Sequence, residues 1–306
     1  MATAQSLKVL QMEGAEIFRV PEVDKLAYEP AFFFPGPAAE VIGANLPALA
    51  PWSVDSAGKI LVNFQSFVIK TRERLIVVDP ANGNHKTRPG MVRWNMLDLP
   101  FLERFASLGV RPEQVDLVLC SHLHADHVGW NTQLVDGKWV PTFPHAEHLI
   151  TRVEHEYWTE RQREDPTQRV NHGAFDDSVQ PIIDAGLMRM VEMDALVFDD
   201  GTLRISFEPA PGHTPGSVHI VLRSGGQEAI LSADSIHHPL EVIAPHVGPY
   251  FDIDSALAQK TRSALIERCA ATDAYLIPAH FPWPVAGKVK RAGDAFEFVF
   301  NGDVAA

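Results

Sequence analysis

Four side chains able to bind metals fall within six residues in the run Ser121-His122-Leu123-His124-Ala125-Asp126-His127-Val128. Imidazole and carboxylate suit zinc, and also iron, cobalt or manganese, so the ligand types do not single out one metal. In an extended stretch, residues two apart point to the same side, which lets His122 and His124 grip one ion together. Asp126 and His127 come after a change of direction, where a helix begins, and can face a second ion. Such a density of ligands is not what a polar surface loop with unrelated histidines carries.

Other candidate ligands follow a pattern set by the elements that must carry them. Apolar, strand-like runs end at or just before a histidine or aspartate. Residues 115–120 lead to His122, and 203–207 lead through a Pro/Gly turn to His213. Residues 228–232 lead to Asp234, and 274–277 to His280. Side by side, these strands deliver their ligands to one edge of a sheet arrangement, with the chemistry on loops held by a rigid scaffold. Further strands are expected at 15–20, 59–70 and 74–78, and a helix near 97–108. Two stretches lack clear periodicity: a Pro- and aromatic-rich passage at about 21–51, and a charged insert at about 159–180, read as a lid or a solvated loop. The expectation is one domain over 1–306 containing both.

Composition narrows the function. The 306 residues are 46% hydrophobic and 21% charged, as in a soluble globular protein with a sizeable core. A net charge of -13 argues against nucleic acid as a partner, since that binding rests on Lys and Arg neutralising phosphates. No run approaches the roughly 18 apolar residues of a membrane span, and the N-terminus lacks the features of a signal peptide, so neither membrane nor export is expected and the cytoplasm is the expected location. The two cysteines, Cys120 and Cys269, form no disulfide framework and read as small buried hydrophobes.

The His-X-His-X-Asp-His run after an apolar strand resembles the signature of the metallo-β-lactamase superfamily. So do Gly212-His213-Thr214-Pro215-Gly216, Ser232-Ala233-Asp234 and Pro278-Ala279-His280, in that order. The resemblance covers roughly residues 58–285 and implies an α/β fold, a four-layer αββα sandwich. It also implies two divalent metal ions, Zn2+ first and Fe, Co or Mn as alternatives. His122, His124 and His213 would bind one, and Asp126, His127 and His280 the other, with Asp234 bridging. Asp79 matches a position that hydrogen-bonds a metal-ligating histidine. Seven ligands for two ions suggest open coordination positions, and a bridging water that loses its proton near neutral pH would attack an ester-like bond. Asp126 is placed to pass a proton to the leaving group.

Departures and agreements then select a branch. A Cys does not stand at Asp234, as it does in the commonest true β-lactamases. Ser235-Ile236-His237-His238-Pro239-Leu240 is not the Gly/Arg-rich segment of hydroxyacylglutathione hydrolases. His124 stands where flavodiiron proteins have Glu. The turn Asp79-Pro80-Ala81-Asn82-Gly83-Asn84, the tail Gly129-Trp130-Asn131 and the overall length are similar to N-acyl-homoserine lactonases and methyl-parathion-type hydrolases. Those lactonases carry a Tyr three residues after the bridging Asp, on the substrate carbonyl; here it is His237, whose imidazole can donate the same hydrogen bond. The expected reaction is opening of a lactone or a related ester-like bond in a small molecule. Organophosphate or aryl ester hydrolysis is the alternative, and thioester hydrolysis or a non-hydrolytic iron protein a more distant one. An apolar wall for the substrate is expected from Trp130, Phe281 and Phe33, with Trp130 and Phe281 first because they adjoin ligands. The Phe32-Phe33-Phe34 run could instead form a homodimer contact.

Overall fold

The structure is a computed structural model that describes residues 4–36, 38–49, 52–88, 90–164 and 170–301. Residues 37, 50 and 51 of the N-terminal passage and 165–169 of the charged insert lie outside the described residues.

Sixteen strands and eight α-helices are described. The first sheet has the order β1 (Lys8–Met12), β2 (Ala15–Tyr28), β3 (Ile60–Thr71), β4 (Leu75–Val78), β5 (Leu117–Leu119), β8 (Glu147–Thr151) and β9 (Met188–Val191). β6 (Thr132–Val135) and β7 (Lys138–Pro141) form a separate hairpin. The β4–β5, β5–β8 and β8–β9 pairs are parallel, with β4 and β5 wholly apolar and β8 buried over 148–151. The second sheet runs from β10 (Leu196–Asp199) through β11 (Arg204–Pro209), β12 (Val218–Ser224), β13 (Gln227–Leu231), β14 (Tyr275–Ile277) and β15 (Gly287–Ala292) to β16 (Ala295–Phe300). It is antiparallel except at β13–β14, whose crossover contains the long helix α8 (Ser255–Thr272). The Asp254 carboxylate accepts the Leu257 N–H and starts that helix.

Internal contacts divide the chain into two compact units, Met1–Glu22 with Phe64–Met193, and Val23–Asn63 with Asp194–Ala306. In the first, Val68, Val77, Phe101, Phe105, Val118 and Trp130 belong to one buried cluster. No described helix is long and apolar enough to cross a membrane. Cys120 and Cys269 are free and buried, and burial pushes both thiols up to about 12, in keeping with an inert role.

Most expected strands appear within a residue or two of their sequence positions, but both aperiodic stretches require correction. The strand beginning at Ala15 continues to Tyr28, and is followed by α1 (Pro30–Phe33) and a kinked α2 (Ala38–Leu49) with Pro47 inside. The register with β1 stops at Phe18, so Pro21 lies beyond the ladder on that side of β2. The charged insert is likewise structured, by α5 (Arg152–Glu164), a 3-10 turn (Val170–Gly173), a π-helical turn (Phe175–Val179) and α6 (Gln180–Asp184). α5 escapes a hydrophobicity reading because Glu154 is one of its two buried residues, Trp158 being the other.

Two buried histidines give this fold an acid limit. His238 donates from Nε2 to the Ser53 carbonyl (2.7 Å) and accepts the Leu240 N–H on Nδ1 (3.1 Å), so both ring nitrogens are satisfied in the neutral form. Burial drives His238 and His148 down from 6.5 to about 4. Between those values the unfolded chain binds protons that the folded chain refuses, so the contribution of these two histidines to stability is complete above 6.5 and falls as pH drops toward 4. Each histidine is expected to withdraw roughly 3 kcal/mol over that window. Urea midpoints at pH 7 and pH 4.5 test this: His148→Leu should flatten the dependence, and an unchanged slope would refute the assignment.

Candidate metal centre

The two units each carry part of the expected ligand set. In the first, β5 ends at Leu119 and the chain turns through residues 120–124 into the short helix α4 (Ala125–Val128), with His124 as its N-cap residue. The turn is held by Asp79, whose carboxylate accepts the Ser121 N–H (2.7 Å) and Ser121 O–H (2.6 Å) and lies 3.2 Å from His127 Nδ1. Because the Ser121 hydroxyl donates to Asp79, its oxygen accepts the hydrogen bond from His122 Nδ1–H at 3.1 Å. His122 Nε2 is thereby left as a lone pair, 3.1 Å from His124 Nδ1. The Asp126 carboxylate lies 3.7 Å from His127 Nε2.

The Asp79–Asn84 turn is in turn closed onto the tail of the motif. Gly129 N–H donates to Ala81 and Trp130 N–H to Pro80, both at 2.6 Å. A Cβ on Gly129 would sit 1.8 Å from the Asn82 carbonyl oxygen, so this approach requires glycine. Fully buried Glu22 accepts four bonds beneath the turn, from the Asn82 and Gly83 N–H groups, the Asn82 amide and the Trp130 indole N–H. Desolvation raises its pKa, against the pull of those donors.

In the second unit, three imidazoles converge on Asp234. His280 Nε2 is 3.1 Å from Oδ1, and His237 and His213 Nε2 are 3.2 and 3.3 Å from Oδ2. The outer nitrogens identify the tautomers. His213 Nδ1 faces the Asp252 carboxylate at 2.9 Å and His280 Nδ1 faces the Asn63 carbonyl at 2.8 Å. Both partners can only accept, so both Nδ1 atoms carry the proton. In their neutral form the Nε2 lone pairs of His213 and His280 then point at a carboxylate. Lone pairs facing a carboxylate at about 3 Å need positive charge between them, which a divalent cation supplies. The donor set therefore fits a metal.

The electrostatics express the same demand. Burial pushes the His237 imidazole down, but the Asp234 and Glu241 carboxylates outweigh it and hold it up at about 10. His213 is raised too, burial being overcome by Asp234 and Asp252. Glu241, fully buried, accepts the N–H groups of His237 (2.6 Å) and His238 (3.0 Å) and pairs with buried Arg262 at 2.9 Å.

The aromatic residues are distributed differently from the sequence expectation. Trp130 is stacked on Phe101 (4.9 Å between centroids) in the first unit's core, with its indole N–H spent on Glu22. Phe281 is wholly buried edge-to-face against Phe298. Both rings are packed among interior residues. Phe33 does lie at the site residues, with its ring 6.2 Å from that of His237 and 5.2 Å from Phe251. Phe34 is buried and only Phe32 of the three is largely exposed. Asp252, Glu241, Arg262 and Phe251 had not been singled out in the sequence. The one local hint was an acidic residue four positions after His237.

An α/β chain with two seven-stranded sheets and histidine–aspartate clusters at strand ends defines a class of metal-binding hydrolase folds. Residues 65–280 match the metallo-beta-lactamase superfamily, and the chain belongs to it. It shares its fold with the hydrolase AbOPH of the beta-lactamase superfamily (TM-score 0.78, 19% identity, 97% of each chain). It also shares it with AidC, a dizinc quorum-quenching lactonase solved with the product N-hexanoyl-L-homoserine (TM-score 0.73, 20% identity, 97% of each chain). By sequence it is similar to the N-acyl homoserine lactonase AttM of Rhizobium radiobacter, 26% identical over 195 residues, 62% of this chain and 68% of AttM. The AttM of Azorhizobium caulinodans is 28% identical over 189 residues, 58% of this chain and 63% of that one. The chain is a metal-dependent hydrolase.

Proposed function

We propose that this chain is a cytoplasmic, binuclear hydrolase that opens a lactone, or cleaves a related ester-like bond, in a small organic molecule. One ion would be held by His122, His124 and His213 and the other by Asp126, His127 and His280, with Asp234 shared. The match over 65–280 runs through both units, which supports the whole chain acting as one functional domain. The observation that carries the reading is the convergence of His213 and His280 Nε2 on Asp234 with their outer nitrogens already committed. When bound, two divalent ions, Zn2+ first with Fe, Co or Mn as alternatives, would supply an activated water and polarise the substrate oxygen.

The chain's own residues do the rest. Asp79, Asp252 and the Asn63 carbonyl orient the histidines they face. Asp126, at the first turn of α4, carries a proton to the leaving group. His237, whose Nε2 lies 3.2 Å from Asp234 Oδ2, would share that N–H with the oxygen on which charge develops, and Phe33 and Phe251 pack against its ring. The test is metal analysis followed by a panel of lactones, aryl esters, thioesters and phosphotriesters. Lactone opening is expected to lead, turnover of only phosphotriesters or aryl esters would transfer the reading to that chemistry, and no hydrolysis by metal-loaded protein would overturn it. His237→Phe is expected to lose about 10²–10³ in kcat with metal content preserved, the usual effect of removing one such donor. Loss of metal instead would refute the donor role.

A further inference from the structure

We infer that α5 and the 3-10 turn at Val170–Gly173 together clamp the His124 ligand in place, with Asn171 and Glu154 as the positioning residues. The inference rests on the reading of His122 and His124 as ligands of one ion.

Residues 120–124 belong to no strand or helix, so the sheet ladder does not determine where His124 sits. Side chains from the clamp take over that task. The Leu123 N–H donates to Glu154 Oε1 at 3.1 Å. The Leu123 carbonyl accepts from Asn171 Nδ2, and the Ala125 N–H donates to Asn171 Oδ1 at 3.1 Å. One carboxamide thus grips the peptide groups on both sides of His124, donating to one and accepting from the other, as a strand neighbour would. The imidazole itself meets Trp158, edge-on at 5.4 Å between centroids. Trp158 is locked by its indole N–H on the same Glu154 oxygen (2.7 Å), one helical turn away on α5.

The backbone at Asn171 indicates that this grip is specified. Asn171 (φ 51, ψ 39) and His172 (φ 54, ψ 23) are consecutive left-handed residues, a conformation that asparagine tolerates and most residues resist. Arg88 fastens the segment from the other side, donating to the His172 carbonyl at 3.3 Å and pairing with Asp177. A metal holds its ligands to within about 0.2 Å, and a loop histidine meets that demand only if its flanking peptides are fixed.

The test uses the metal-loaded protein and stepwise chelator competition for its two equivalents, with the visible spectrum of the Co2+-loaded form as a second readout. Asn171→Gly keeps the left-handed backbone and deletes the grip. It is expected to weaken one equivalent by about 10–100-fold, the usual effect of losing a group that orients a ligand, and to shift the Co2+ bands of that site alone. Asn171→Asp keeps the acceptor for Ala125 and should fall between, while Glu154→Gln, which keeps an acceptor oxygen, should stay close to the parent. Wild-type affinity for both equivalents in Asn171→Gly would overturn the inference, as would equal weakening of both. His124→Ala separates the two levels: if it retains both equivalents the metal reading itself fails, and if it loses one while Asn171→Gly loses none, only the clamp fails.

Discussion

Asp234→Asn is expected to cost one metal equivalent and about 10³-fold or more in kcat/KM. The substitution is nearly isosteric, so the loss would not come from packing. It comes from replacing a carboxylate that three imidazole nitrogens face at 3.1–3.3 Å with an amide that offers one acceptor and one donor. The charge that makes this cluster attract a cation is gone. Metal assistance contributes several kcal/mol to a hydrolytic transition state, and each 1.36 kcal/mol is tenfold in rate. Metal content by mass spectrometry and turnover of the best substrate from the panel are the measurements. Two retained equivalents, with turnover within tenfold of the parent, would remove Asp234 from the centre; combining the change with His122→Ala should add little if both residues serve one metal unit.

Asp177→Ala is expected to be the most damaging change to stability among substitutions far from the ligands, at about 3–5 kcal/mol. Asp177 pairs with Arg88 through both oxygens, at 2.6 and 3.0 Å, and Lys86 Nζ lies 3.4 Å away. All three are buried. Without the carboxylate, Arg88 would remain charged and buried against the Thr87 and His172 carbonyls, because a guanidinium does not give up its proton at any ordinary pH. Lys86 has an escape: burial already brings its pKa down to about 7, against the pull of Asp177, and it rests on the Trp139 ring at 3.8 Å. Lys86→Met should therefore change stability by only about 1 kcal/mol while Asp177→Ala removes several. Comparable effects of the two, by urea unfolding at pH 7, would contradict this division.

The pair also shows why the charged insert does not read as folded structure in the sequence. Asp177 stands in a stretch whose polarity suggests a solvated loop, yet its partners Lys86 and Arg88 lie about ninety residues earlier and take it into the interior. Glu154 and Trp158 do the same on α5, where a buried carboxylate is anchored by an indole N–H and a peptide N–H. Local periodicity registers hydrophobicity, and a charge buried by a distant partner has none. The strands that lead to the ligands were legible for the opposite reason: 59–70, 74–78 and 228–232 are apolar runs of strand length, closed by turn residues, and the structure places strands within a residue or two of each.

Among the site residues, the sequence by itself determined which side chains can bind metal. The spacing of His122, His124, Asp126 and His127 is a short-range property of the chain, and so is the position of His213, Asp234 and His280 just past the ends of strands. Tertiary structure alone decided what stands behind them. Asp252 reaches His213 across 39 residues, the Asn63 carbonyl reaches His280 across 217, and Asn171 holds the peptides around His124 from 46 and 48 residues away. It also placed Phe33 beside His237 and sent Trp130 and Phe281 into the interior. Ligand type and spacing are written along the backbone, whereas tautomer, orientation and burial depend on neighbours that only folding brings within 3 Å.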